Sequence, residues 1–226
     1  MNEQNFYTTQ LGAGLGLISE TQSLLDLWVA GMGTKDLVNS ALESGEFPNV
    51  TARRLRNIVA ECFAPRYLNP DPQPAEWLQA LNYRVSTRAL NQLFFVYTAR
   101  ANLILRDFVT QLYWERYASG YTEISSEDTT EFVQRGTYDG KTQKLWSDST
   151  IKRQSSYLLS ACVDYQLLQP LSRSTREITS VRIEPCVIAI LAYDLNLQGM
   201  TDNNLINHPD WQLFGLQPED VRDELK

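Results

Sequence analysis

The fold class this sequence predicts is mainly α: helix-turn-helix or winged-helix elements flanking a central helical bundle, with one short β wing. Three observations carry that expectation. Apolar residues recur at the helical spacing i, i+3, i+4 and i+7 from Ser19 to Leu168. Only one run, Arg176–Ile183, alternates and is β-branched as a strand requires. The turn-rich stretch Asn69-Pro70-Asp71-Pro72-Gln73-Pro74 divides a set of short helices from a long apolar region.

Ser19-Glu20-Thr21-Gln22 has the form of a capping box, with Ser19 as N-cap and Gln22 reaching back. Leu24, Leu25, Leu27, Trp28 and Val29 continue that helix to Gly31 and Gly33. Thr34 caps a second, short helix through Leu37, Val38 and Leu42, closed by Gly45. Thr51 caps a third, in which Leu55, Ile58, Val59, Cys62 and Phe63 share a buried face. Arg53, Arg54, Arg56 and Asn57 therefore share the opposite side, and Pro65 is expected to end the helix. These elements form an N-terminal helix-turn-helix-like region, residues 1–68.

Residues 69–124 hold the bundle. Ser86 opens a long helical region whose stripe runs Leu90, Leu93, Phe94, Tyr97, Ala101, Ile104, Leu105, Phe108, Leu112 and Tyr113. It is too apolar to stand alone, so both ends of the chain are expected to pack on it. Residues 125–226 form a winged-helix-like region with a docked tail. Ser125 or Ser126 caps a helix that ends near Gly136, and Thr142–Trp146 reads as a short helical turn. Ser147–Ser149 cap a long helix that Pro170 stops, burying Ile151, Leu158, Leu159, Cys162, Val163 and Leu167 and turning Lys152, Arg153 and Ser156 outward. Pro185 starts a helix that is apolar nearly all round and so expected to be buried. Trp211-Gln-Leu-Phe-Gly-Leu, Pro218 and a last acidic helix make the tail.

Charge is distributed unevenly over the 226 residues, whose net charge is -7. Met1–Val50 carry one Lys against six acidic residues, and Ile183–Lys226 carry two basic against eight acidic. The remaining middle holds 17 basic and 13 acidic residues, a local excess of +4. Acidic bulk repels a polyanion while local basic clusters attract one. No apolar run approaches the ~20 residues of a membrane helix, and the N-terminus MNEQNFYTTQ lacks a secretory pattern, so a cytoplasmic protein with no membrane partner is expected.

Three scattered cysteines (Cys62, Cys162, Cys186) and one His208 lack the spacing of a metal site or a disulfide framework, and the thiols read as buried and structural. Gly12-Ala13-Gly14-Leu15-Gly16 misses the G-x-G-x-x-G spacing and follows no apolar strand, so it reads as flexible or tightly packed backbone. No carboxylate pair stands out as an acid/base couple. No cofactor, metal or enzymatic activity is expected.

Two basic clusters remain as candidate sites. Helix, short helix, long helix and basic strand pair is the order of a winged helix, whose last helix enters the major groove. Ser149, Lys152, Arg153 and Ser156 would occupy its recognition face, and Arg173, Arg176 and Arg182 the wing. Lys141 and Lys144 precede the helix, giving seven basic and three acidic residues from Lys141 to Arg182. Arg53, Arg54 and Arg56 form the second cluster. Both surfaces also suit a solvated face, and winged helices also serve as protein–protein modules. Arg84, Arg88, Arg100 and Arg106, in a stretch free of acid from Leu78 to Arg106, either extend a basic surface or pair with the acidic ends.

The opening LGAGLGLISETQSLLDLWVAGM, the helix end Ala64-Pro65-Arg66-Tyr67-Leu68 and Trp211-Gln-Leu-Phe-Gly-Leu resemble the BrxA family, small components of bacterial BREX phage-defence systems. The resemblance implies a cytoplasmic, helical protein able to bind double-stranded DNA. It also implies partners encoded beside it, among them a site-specific DNA methyltransferase and an ATPase. The site residues above come from charge and helix geometry alone. A protein–protein adaptor without nucleic-acid contact is the alternative expectation, and RNA binding is a third that lacks a stacking-aromatic platform.

Overall fold

A 3-10 turn (Gln10–Gly14) precedes helices α1 (Ile18–Leu27), α2 (Thr34–Glu43) and α3 (Ala52–Asn57) in a computed structural model that describes residues 6–14 and 17–226. Thr51 caps α3 as its sequence requires, its hydroxyl accepting the Arg54 N–H at 3.2 Å. The box expected at Ser19–Gln22 does not form. α1 starts behind Leu17, so Ser19 lies inside the first turn and donates to the Glu20 carboxylate at 3.0 Å. Pro65 does not end the third helix either, for helical backbone continues from Ile58 to Leu68 in π-helical form. A π turn is wider than an α turn and gives room to a ring that would otherwise clash with the preceding turn.

The proline-rich stretch is shorter as a boundary than it reads. Pro74 sits in the first turn of α4 (Gln73–Leu81), where a missing N–H breaks no helical hydrogen bond. α5 (Thr87–Ala101) is capped by Ser86, which accepts the Ala89 N–H at 3.1 Å, and is buried almost throughout. The stripe expected to run on to Tyr113 is interrupted once, at Asn102. Its side-chain amide donates to the Thr98 carbonyl at 2.9 Å, competing with the helical ladder. The chain resumes as α6 (Leu103–Phe108), a π turn (Val109–Tyr113) and α7 (Trp114–Ala118).

β1 (Glu123–Ser125) leads into α8 (Ser126–Tyr138), and α9 (Asp148–Asp164) follows. The segment Thr142–Trp146 between them is not helical; Thr142 is buried there and Trp146 packs on the core. α9 stops well before Pro170, because Gln166 adopts a φ of 62° and turns the chain into β2 (Leu168–Pro170). β2 pairs antiparallel with β3 (Thr175–Ile178), and β1 pairs with the other edge of β3, giving the order β1-β3-β2. Ile124 lies opposite Arg176, and Leu168 opposite Ile178. The strand expected over Arg176–Ile183 is therefore cut short. Beyond Ile178 the chain leaves the sheet to cross the bundle, where the Arg182 carbonyl accepts from Arg88 Nη2 at 3.0 Å and Gln92 Nε2 at 2.8 Å.

α10 (Pro185–Leu197) starts at Pro185 as expected, but only one of its faces is buried. Val187, Ile188, Leu191 and Leu195 face the core while Cys186, Tyr193 and Leu197 are exposed. Cys186 is thus not a buried thiol, unlike Cys62 and Cys162. A thiol reagent under native conditions should label Cys186 alone, with Cys62 and Cys162 reacting only on unfolding. Mass spectrometry of the labelled sites checks this.

α11 (Asp202–Ile206), a 3-10 turn (Pro209–Phe214) and α12 (Pro218–Glu224) form the docked tail. Trp211 is buried and donates to the Leu205 carbonyl at 2.7 Å, and Trp114 donates to the Leu213 carbonyl at 3.1 Å. Leu24, Phe63, Phe94, Phe108, Leu158 and Trp211 belong to one continuous core, so residues from both ends of the chain pack with α5 and α6.

Candidate nucleic-acid interface

The succession β1, α8, α9 and the β2–β3 hairpin builds one concave surface. α8 begins in a reciprocal box. Ser125 Oγ accepts the Asp128 N–H at 3.0 Å, and Asp128 accepts the Ser125 N–H at 2.9 Å. Burial raises the Asp128 carboxyl, but the Ser125 donors and Arg116, at 2.6 Å, hold it below the usual carboxylate range. The stabilisation is therefore present at neutral pH and is lost as the pH falls through that depressed value. Asp128→Ala should cost about 1 kcal/mol, read as a lower denaturant midpoint at neutral pH that converges on wild type in acid.

The hairpin is tied to the start of α8: the Ser126 N–H and hydroxyl both donate to the Ser174 carbonyl, at 2.7 and 3.0 Å. A groove of about 450 Å³ lies between these parts. Ser126, Glu127 and Thr130 form the α8 wall, Lys152 and Ser156 the α9 wall, and Arg173 and Arg176 the hairpin wall. Ser147 caps α9, its Oγ accepting the Thr150 N–H at 3.4 Å and lying 3.0 Å from Ser149 Oγ. Ile151, Leu158, Leu159 and Cys162 face inward, and Ser149, Lys152, Arg153 and Ser156 are exposed, as the helical period requires. Among the described residues no ion pair holds Lys152, Arg153 or Arg173.

The structure gathers Lys152, Ser156, Arg173 and Arg176 around one groove, with Ser149 and Arg153 on the adjoining outer face of α9. Lys144 is exposed in the loop that enters α9. Arg182 is exposed but lies on the crossover to α5, beyond the hairpin. Lys141 is engaged elsewhere. Its ammonium donates to Asp107 at 2.8 Å, where the Tyr7 hydroxyl also donates at 2.9 Å, and the Tyr7 N–H meets the Lys141 carbonyl at 2.6 Å. Arg53 and Arg56 are exposed and Arg54 half-buried on α3, but no hairpin follows that helix.

Five of the groove's lining residues escape sequence reasoning, two of them Ser155 and Leu159 of α9. Ser126, Glu127 and Thr130 of α8 reach the site only because β1 pairs with β3, and a three-residue strand is too short for alternation to reveal. Glu127 brings a negative charge to the groove, and Glu177 stands exposed on β3. Of the bundle arginines, Arg88 pairs with Glu184 at 3.1 Å and Arg100 with Asp194 and Asp210, so these two bind the acidic C-terminal part. The glycine-rich run is packing backbone at Gly12, where the Tyr157 ring leaves no space for a side chain. Leu15 and Gly16 of that run lie outside the described residues. Among the described residues no group of His, Cys, Asp and Glu is placed to hold a metal ion, and no helix is long and apolar enough to cross a membrane.

A family model, BrxA, matches residues 5–194. The chain is also similar to the crystal structure of an uncharacterized protein from Magnetospirillum magneticum. The two share 16% sequence identity with a TM-score of 0.69, covering 92% of this chain and 97% of that one. At that identity the likeness concerns the fold. No curated protein matches the chain.

Proposed function

We propose that this chain, which belongs to the BrxA family, is a non-enzymatic protein that binds double-stranded DNA and helps to place its defence complex there. Family membership makes it a component of a bacterial BREX phage-defence system. The observation that supports DNA contact is the groove between α9 and the hairpin, flanked by Lys152, Arg153 and Arg173 without ion-pair partners among the described residues. Helix, strand, helix, helix and hairpin follow one another as in a winged helix. In this reading the N-terminal outer residues of α9, Ser149, Lys152, Arg153 and Ser156, face the major groove. The hairpin reaches the adjoining backbone. The net charge of -7 opposes approach from a distance, so the contact rests on short-range pairing with phosphates.

A second reading is a protein–protein adaptor, for the methyltransferase, the ATPase or another component of the system. Its support is the exposed apolar side of α10, where Tyr193 is 63% and Leu197 52% exposed. The two readings differ in their response to salt. Titration of the protein with duplex DNA, single-stranded DNA and RNA at several salt concentrations should show preferred duplex binding that weakens steeply. Each phosphate contact contributes roughly 0.9 to the logarithmic slope, so three cations give a slope of about 3. Salt-insensitive or absent duplex binding would favour the adaptor.

A further inference from the structure

The two hairpin arginines are not equivalent. Arg176 is spent on the hairpin itself, its Nη1 donating to the Ser172 carbonyl at 2.8 Å and the Thr175 carbonyl at 2.9 Å. The Ser172 hydroxyl accepts the Ser174 and Thr175 N–H groups at 3.2 and 3.1 Å and lies 2.6 Å from Thr175 Oγ1. The Ser174 carbonyl is fixed in turn by Ser126. The four-residue connection 171–174 is therefore locked at two of its positions, Ser172 and Ser174, by side-chain hydrogen bonds and held against α8. Arg173 stands at its tip, exposed, with no side-chain hydrogen bond or ion pair among the described residues. A rigid tip presenting one free guanidinium costs little further ordering when it binds.

Resting on the DNA reading above, we infer that Arg173 enters the minor groove flanking the segment that α9 occupies, and gives the protein a preference for A·T pairs there. With α9 in the major groove, a hairpin following it in the chain stands over the adjoining strand and minor groove. That groove is about 6 Å wide, wide enough for one extended side chain but not for the hairpin. A·T tracts narrow it further and deepen its negative potential, which attracts an inserted arginine. The exocyclic amino group of guanine projects into the same groove and obstructs that insertion. Arginine suits this role better than lysine because its guanidinium is planar and sheds water more readily.

The test uses the full chain and three duplexes of equal length: dA·dT, dG·dC and dI·dC. Inosine presents the major-groove edge of guanine but lacks its minor-groove amino group. The expected result is that dA·dT and dI·dC bind similarly and about tenfold more tightly than dG·dC. Arg173→Ala should abolish the preference and lower the salt slope. Arg173→Lys should keep the slope but lose most of the preference. Equal binding of all three duplexes overturns the inference while leaving the DNA reading intact. So does grouping of dI·dC with dG·dC, which would put the reading in the major groove, or a preference that survives in Arg173→Ala. Salt-insensitive or absent binding of every duplex overturns the DNA reading and the inference with it.

Discussion

Replacing Arg100 by leucine should destabilise the protein by about 4 kcal/mol, because it strands two buried carboxylates at once. The guanidinium donates to Asp194 at 2.6 Å through Nη1 and to Asp210 at 2.7 Å through Nε, and lies over the Tyr97 ring at 5.1 Å. Asp194 and Asp210 are each 3% exposed. Burial raises the Asp210 carboxyl, but Arg100 and His208 pull it below the usual carboxylate range. Its contribution is therefore complete above the unfolded value, about 3.9, and is lost as the pH falls through the depressed folded value. In Arg100→Leu the balance at Asp210 shifts towards burial, which favours its protonated carboxyl. The stability gap between the two proteins should be widest at neutral pH and narrow as the pH falls toward about 4. Denaturant melts at several pH values measure it. A gap that stays constant with pH would mean that Arg100 acts through packing rather than charge.

That same cluster shows what the sequence could and could not disclose. The acid-free run of arginines was visible, but its two explanations, basic surface or partner to the acidic ends, were indistinguishable. The pairs join residues 94 and 110 positions apart, beyond the reach of any local pattern. Lys141 poses the same problem, since its partner Asp107 lies 34 residues away on α6. Local rules fared better. Thr51, Ser86, Ser125 and Ser147 cap helices, because a cap needs only the three residues that follow it, whereas Ser19 and Thr34 lie inside α1 and α2, whose N-cap positions are Leu17 and Gly33. The outward direction of Lys152, Arg153 and Ser156 was equally legible, since a helical period that buries Ile151 and Leu158 fixes the opposite side too. Neither β1 nor the position of β2, the partner that the expected strand pair requires, is legible, because three residues cannot establish a period of two. α4 was missed because prolines mark both a boundary and a first helical turn.

If α9 and the hairpin form the DNA-contacting surface, reversing the charges on the outer face of α9 should change binding rather than stability. Lys152 and Arg153 are exposed on the outer face of α9, so reversing both charges leaves the core untouched. On the proposed DNA reading, Lys152→Glu with Arg153→Glu turns two attractions to phosphate into two repulsions beside Glu127. Loss of two contacts removes roughly 1.8 from the logarithmic salt slope. The repulsion should lower duplex affinity further, by about a hundredfold at low salt. The matched pair Arg53→Glu with Arg54→Glu changes charge equally on α3, which no hairpin follows, and should weaken binding much less. The decisive measurement is a salt-dependent duplex titration of wild type and both pairs, with melting curves confirming that each variant is folded. The α9 pair should lose both affinity and slope while the α3 pair retains most of each. Unchanged binding in a folded α9 pair, above all if the α3 pair abolishes it, would contradict the assignment of the site.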